Sequence, residues 1–356
     1  MILRRKKKSA PEATASEAGN GHAPQVQRTP DLNGFADTTA VRAEVAELME
    51  ANRRDPDRDV ERRILELRHL AGSRNLLEAS GSPSYPEPDA GALPEGALPD
   101  IRPEDLTPEL LRAGILRDGA VLVRGAVDPE AAQRLADGIE RAFRDRSAHN
   151  EGNPASDSIY EEFKPKWGPD LIERNWIEAG GGVLAADSPR LAFEMLDAFE
   201  RIGLDEVISG YLGEPAAVSA QKCTLRKATP DVSGAWHQDG NFMGDVRALN
   251  VWLSLSRCGD VAPGLDLVPR RIDHLLESGT DGMPLDYVIS PQKVEEAAGP
   301  DGVVRPIFEP GDVLLFDDLF LHQTGSDPSM PNPRYAIESW FFGASGFPTE
   351  YTPIAA

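Results

Sequence analysis

The run Trp236-His237-Gln238-Asp239-Gly240 sets an imidazole and a carboxylate two residues apart. In an extended chain, side chains two apart share a face. His237 and Asp239 can therefore reach one ion together while Gln238 faces away. A metal needs a further donor, and two downstream histidines offer one, His274 and His322. His274 follows Arg270, Arg271 and Asp273 in a polar stretch. His322 ends Pro310-Gly311-Asp312-Val313-Leu314-Leu315-Phe316-Asp317-Asp318-Leu319-Phe320-Leu321, which predicts a turn, a buried strand and a short loop, and it is the ligand we choose. Two histidines and one carboxylate leave open positions on an octahedral metal, the donor set of non-haem Fe(II) centres that activate oxygen. Zinc more often takes a third histidine or a cysteine. Neither Cys223 nor Cys258 has the spacing of a metal pair.

A lone His-X-Asp recurs by chance in many chains, so a second feature has to support it. Arg334 opens the run Arg334-Tyr335-Ala336-Ile337-Glu338-Ser339-Trp340-Phe341-Phe342. An arginine entering a buried strand keeps its charge and needs an anionic partner. A dicarboxylate cosubstrate would supply one through a two-bond contact. Glu338, four residues on and on the same strand face, is the other candidate, and strand periodicity leaves the two equal.

The elements that must position these groups follow from composition and pattern. The chain has 356 residues, of which 40% are hydrophobic and 27% charged, enough for one large domain, or one domain with an appendage. A formal charge of −22 disfavours nucleic acid as a partner. No apolar run is long enough to span a membrane. The basic cluster Arg4 to Lys8 is followed by Ser, Ala, Glu, Thr, Pro and Gly rather than by an apolar signal core, and with two cysteines the chain is expected in the cytoplasm. Residues 1–37 are expected to be a disordered tail and 38–80 a helical hairpin. Residues 81–108 are expected to be a Pro/Gly-rich linker, and 109–356 the main domain. Within that domain the pattern predicts a strand at 118–125 and helices at 129–146, 189–199 and 203–212. Short β-rich runs follow at 216–226, 247–257, 262–268, 303–309, 312–317 and 334–343. Helices first and closely spaced strands later give an α+β class around a β core.

With these residues in place, the chain resembles the phytanoyl-CoA dioxygenase family over about 115–345. The resemblance rests on Gly119-Ala120-Val121-Leu122-Val123-Arg124-Gly125, His237-Gln238-Asp239, Gly311-Asp312 leading into His322, and Arg334. It implies a double-stranded β-helix (jelly-roll, cupin-like) core and chemistry that uses Fe(II), 2-oxoglutarate and O2. By position it implies that His237, Asp239 and His322 hold iron, and that Arg334, with Thr324 beside it, binds the distal carboxylate of 2-oxoglutarate. Trp252 sits where the family has a cosubstrate-contacting tryptophan, and Cys223 and Thr224 lie on a cosubstrate-lining strand whose inward face the pattern leaves open. Trp236, Asn241, Phe242, Met243 and Arg247 follow or flank the first ligands and are expected to approach the substrate. The segment Pro263-Gly264-Leu265-Asp266-Leu267-Val268-Pro269-Arg270-Arg271-Ile272 departs from the family's usual Pro-Gly-Ser-His pattern. The implied activity is hydroxylation of an unactivated C–H of a small molecule or lipid-like metabolite, with release of succinate and CO2. The alternatives are a non-catalytic scaffold or binding protein, a halogenase, which Asp239 argues against, and a cupin-type isomerase. Substrate and oligomeric state are not legible in the sequence.

Overall fold

The computed structural model describes residues 34–79, 82–91, 93–169, 172–232, 234–244 and 246–356. All but the last four residues of the expected tail lie outside these segments.

Side chains ahead of the first helices set where they begin. Asp37, Asp57, Thr107 and Asp128 each accept a hydrogen bond from a first-turn backbone N–H. They open α1 (Thr38–Arg54), α2 (Arg58–Glu78), α3 (Pro108–Asp118) and α4 (Pro129–Asn150). Strand β1 (Asp100–Ile101) precedes α3, and β2 (Ala120–Val123) follows it. Beyond α4 come α5 (Asn175–Ala179), β3 (Gly182–Leu184), α6 (Pro189–Arg201), α7 (Leu204–Leu212) and the long β4 (Ala216–Ala228). The remainder is α8 (Gly240–Met243), β5 (Ala248–Ser254), β6 (Gly264–Leu267), α9 (Pro291–Ala298), β7 (Val313–Phe316), β8 (His322–Gly325), β9 (Arg334–Gly343) and β10 (Pro353–Ala355).

One large sheet runs β1-β2-β7-β5-β9-β4-β10, with β3 also paired to β4. A small sheet pairs β6 with β8, and single bridges join His237 to His322 and Leu267 to Val304. The strands of the large sheet have two apolar faces, as the period of two requires for a strand covered on both sides. Val121, Leu225, Val251, Leu253, Leu315, Ile337 and Phe341 face the helices. Leu122, Trp252, Leu314, Phe316, Ala336, Trp340 and Phe342 face Leu265 and Leu267 of the small sheet. Two sheets closing on one interior form the double-stranded β-helix core of an α+β fold.

The hairpin is part of this body and not an appendage. Val41, Val45, Met49, Ile64, Leu67 and Leu70 share the core of the helix-covered sheet face. Arg68 Nη1 donates to Ala355 O and His69 Nδ1 to Pro353 O, each at 2.9 Å. Gly72 lies so close to β10 that a Cβ there would meet the Pro353 and Ala355 backbone at 3.1 Å. The expected linker also contributes: β1 lies within it and pairs in parallel with β2. The run 303–309 carries only bridges at Val304 and Phe308, since Pro306 between them has no N–H for a ladder.

Candidate active site

His237 and His322 exchange both backbone hydrogen bonds, at 3.1 Å each, which brings their rings to 4.5 Å between centroids. His237 Nδ1 donates to Ala235 O (2.7 Å) and His322 Nδ1 to Phe320 O (3.0 Å). Fixing the proton on Nδ1 leaves the Nε2 lone pair of each ring free to bind a metal. Asp239 joins them by a different route from strand alternation. Its backbone has already turned helical (φ −63, ψ −26) at the entry to α8. Its Oδ2 lies 3.7 Å from His322 Nε2. One ligand atom from each of the three residues lies within 4.8 Å of the others.

The electrostatics of this cluster call for a cation. Asp239 Oδ2 is buried and has no hydrogen-bond partner. Burial pushes the Asp239 carboxyl up to about 6 against the pull of His237, and burial together with His237 pushes His322 down to about 3. A buried carboxylate with an open lone pair and two imidazoles that each turn Nε2 toward it are the donors a divalent metal takes. The set therefore fits Fe(II).

Neighbouring residues hold the triad in place. Gln238 spends its whole amide on two segments: Nε2 donates to His274 O (3.0 Å) and Leu319 O (2.7 Å), and Oε1 accepts from Leu276 N (2.7 Å). A Cβ at Gly240 would lie 2.8 Å from the Leu275 side chain and 2.9 Å from the Asp318 carboxylate, so both side chains pack directly on this glycine. Gly311 has φ +93 and a Cβ there would strike Val127 O. Asp312 accepts from Arg124 (2.7 Å), Gly125 N (2.8 Å) and Glu309 N (2.9 Å). Gly311-Asp312 is therefore a structural corner that launches β7 toward His322. His274 is exposed, with its Nδ1 2.8 Å from Asp273, and lies outside the triad.

Arg334 is 4% exposed and lies on the inward face of β9. Nη1 donates to Gly264 O at 2.9 Å, Nε has no partner, and the guanidinium sits 5.5 Å over the Trp252 ring. Among the described residues no carboxylate pairs with it. Glu338 is taken by Arg226 at 3.0 Å, with Thr224 Oγ1 at 3.5 Å, so it is not the partner of Arg334. Thr224 and Trp252 are both in register with Glu338, which puts them on the same inward face. Thr324 is two residues after His322 on β8 and shares its face.

Three sequence-based expectations are corrected. Cys223 pairs across from Ser339 and packs in the helix-side core, because adjacent strand residues point to opposite faces and Thr224 takes the inward one. Arg247 precedes the inward-facing Ala248 and so turns outward, donating to Leu212 O (2.9 Å) over the Tyr85 ring. Trp236, next to His237, packs on the opposite side against a cluster holding Ile289 and Leu321. Phe242 does stand at the triad, 6.0 Å from the His237 ring, with Tyr287 edge-on at 5.9 Å. Asn241 Nδ2 is buried without a partner, and Met243 lies in the interior core. Sequence reasoning missed Asn250, fully buried opposite Trp340 with both amide atoms unpartnered, and Lys222. A lone asparagine inside the apolar run Ala248–Ser254 was the signal available for the first.

The phytanoyl-CoA dioxygenase (PhyH) family pattern matches residues 115–330, more than half of the chain. Among curated proteins none matches. Similar solved structures include EctD from S. alaskensis, solved with 2-oxoglutarate and 5-hydroxyectoine, at 19% identity over 74% of this chain and 88% of that one, TM-score 0.49. AviO1 from Streptomyces viridochromogenes Tue57 is 22% identical over 67% and 96%, TM-score 0.42. The epimerase SnoN, solved with Fe3+, alpha ketoglutarate and nogalamycin RO, is 19% identical over 68% and 86%, TM-score 0.44.

Proposed function

The chain belongs to the phytanoyl-CoA dioxygenase family, and from that premise we propose that it is an Fe(II)- and 2-oxoglutarate-dependent hydroxylase of a small molecule. The observation that carries the reading is Arg334, a buried guanidinium with no anionic partner among the described residues, on the same interior as His237, Asp239 and His322. His237 Nε2, His322 Nε2 and an Asp239 oxygen would hold the iron. When bound, iron and 2-oxoglutarate supply the activation of O2 that converts an unactivated C–H to C–OH, with succinate and CO2 as coproducts.

The chain's own groups bind, orient and shield. Nη1 of Arg334 is committed to Gly264 O, which leaves Nε and Nη2 as the parallel pair for the distal carboxylate of 2-oxoglutarate. The Trp252 ring lies beneath the guanidinium, 5.5 Å from it. Thr224 and Thr324 bring hydroxyls to the same interior. Glu338 neutralises Arg226, so that cation does not compete with Arg334. Phe242 and Tyr287 stand beside His237 and give that edge of the site an aromatic wall. Asp239 occupies the position a halogenase leaves to halide, which favours hydroxylation. No helix among the described residues is long and apolar enough to cross a membrane. The two cysteines are buried free thiols, which supports a cytoplasmic setting.

The test is succinate release by the Fe(II)-reconstituted protein against a metabolite panel. His237→Ala and His322→Ala should lose both Fe(II) binding and succinate formation, while His274→Ala keeps both. Iron and 2-oxoglutarate binding without any succinate would favour the scaffold reading.

A further inference from the structure

Lys222 lies on the β4 stretch whose neighbour Cys223 points outward, and its ammonium is enclosed by aromatic rings. Nζ sits 4.4 Å from the Phe242 centroid, 4.9 Å from Trp176 and 5.6 Å from Tyr351. Ring faces attract an ammonium but accept none of its three N–H groups in an ordinary hydrogen bond. Among the described residues Nζ has no carbonyl or carboxylate partner. Burial pulls the lysine below its ordinary range, while the charges of Asp239 and Glu338 hold it up. Two of the three rings are themselves half-exposed, Trp176 at 44% and Phe242 at 42%. Large exposed aromatics around one half-buried cation form a mouth for an apolar body that carries a negative group.

We propose that Lys222 binds an anionic group, a carboxylate or a phosphoryl group, of the primary substrate, whose apolar part stacks on Trp176, Phe242 and Tyr351. This rests on the hydroxylase reading above. The two unpaired cations divide the ligands between them. Arg334 is in register with Ala228 at one end of the inward stretch of β4, and Lys222 is six residues back along that strand, about 20 Å of extended chain. Arg226, between them, is neutralised by Glu338. The arginine is buried against Trp252 and suits the cosubstrate, whereas the lysine opens toward the exposed rings beside His237 and suits the molecule that enters last. A chain of charge −22 repels anions at long range, so an anionic substrate requires a local cation of this kind.

The experiment is titration calorimetry of the full-length protein with phenylacetate, phenyl phosphate and neutral phenylacetamide, with 2-oxoglutarate titrated separately. Wild type should bind at least one of the two anions about tenfold or more tighter than the amide, and the anion that wins separates carboxylate from phosphoryl recognition. Lys222→Gln and Lys222→Met should bring the preference close to one, Lys222→Arg should keep it, and all three should bind 2-oxoglutarate within about twofold of wild type. Two neutral variants guard against one that misfolds. Absence of an anion preference in wild type, or the same preference in both neutral variants, overturns the proposal. Weakened 2-oxoglutarate binding with the probe preference intact also overturns it, by assigning Lys222 to the cosubstrate, and leaves the hydroxylase reading standing. Loss of 2-oxoglutarate binding in wild type would instead sink the hydroxylase reading while the probe comparison still reports on Lys222.

Discussion

Replacing Arg334 separates a cosubstrate clamp from a structural arginine, because the two roles shift different quantities. The guanidinium is 4% exposed, gives Nη1 to Gly264 O and has no carboxylate partner among the described residues. If 2-oxoglutarate completes the pair, Arg334→Met leaves its distal carboxylate buried and unpaired, at a cost of about 3–5 kcal/mol. That is roughly a hundredfold to several-thousandfold in cosubstrate affinity. Arg334→Lys should recover only part, since an ammonium cannot form two parallel bonds and also reach Gly264 O. Stability without cosubstrate should move little or rise, because removing a buried charge that lacks a counterion relieves a desolvation penalty. Wild type should gain about 2.7 kcal/mol of stability when 2-oxoglutarate is near a hundred times its dissociation constant, and Arg334→Met should gain about 0.4 kcal/mol or less at the same concentration. The assays are 2-oxoglutarate titration of succinate formation at equal iron occupancy and thermal unfolding with and without the diacid. Superimposable titration curves for wild type and both variants would refute the argument, as would a large loss of stability with cosubstrate affinity unchanged.

Divalent metal binding should weaken about tenfold per pH unit below about 6, where a proton competes for Asp239, and Mn(II) titrations near pH 5 and pH 7.5 measure it. The sign for stability is opposite in the metal-free protein. The folded carboxyl titrates above its ordinary 3.8, so its contribution is fully present below that value and is lost as pH rises through about 6. Gly311→Ala must hold φ +93 against Val127 O and should cost about 2 kcal/mol or more, read as a fall in melting temperature. Deleting residues 34–79 should abolish cooperative unfolding, because it strips α2 from β10 and removes Ile64, Leu67 and Leu70 from the shared core; a sharp transition in the truncated protein would show the hairpin to be independent.

How much of this was legible in the sequence follows from what each signal encodes. With six histidines in the chain, His237 and His322 stood out by residue type and by the runs that lead into them, and the structure brings them together with Asp239. Type and spacing say nothing about direction, however. Trp236 and Arg247 are near the ligands in sequence and point away from them, because neighbours on an extended chain face opposite sides. The same rule sends Cys223 outward and Thr224 inward, a choice that depends on the sheet's register with β9 and not on the residues themselves. The pattern at 38–80 predicted a helical hairpin but not what it packs on. Arg68 and His69, which dock it on β10, look like ordinary polar positions of a surface helix until the Pro353 and Ala355 carbonyls are in view. Lys222 was hidden for the converse reason: an isolated lysine in a strand suggests solvent, and only the surrounding rings mark it as enclosed.

The distribution of ion pairs separates the scaffold from the site. Asp312 is held by Arg124, Asp317 by Arg271, Asp266 by Arg305 and Glu338 by Arg226, each at 3.0 Å or less. These buried or half-buried charges are satisfied internally by their pairs. Arg334, Lys222 and Asp239 make no such pair with Lys, Arg or a carboxylate among the described residues, and they share the interior between the two sheets. An uncompensated charge in that interior costs free energy in the empty protein. Two lone cations and one lone carboxylate are the mirror image of two anionic groups and one metal ion. Removing the lone Arg334 or Lys222 should therefore weaken a ligand more than it weakens the fold. Breaking one of the paired charges, as in Arg124→Met at Asp312, should lower the melting temperature first.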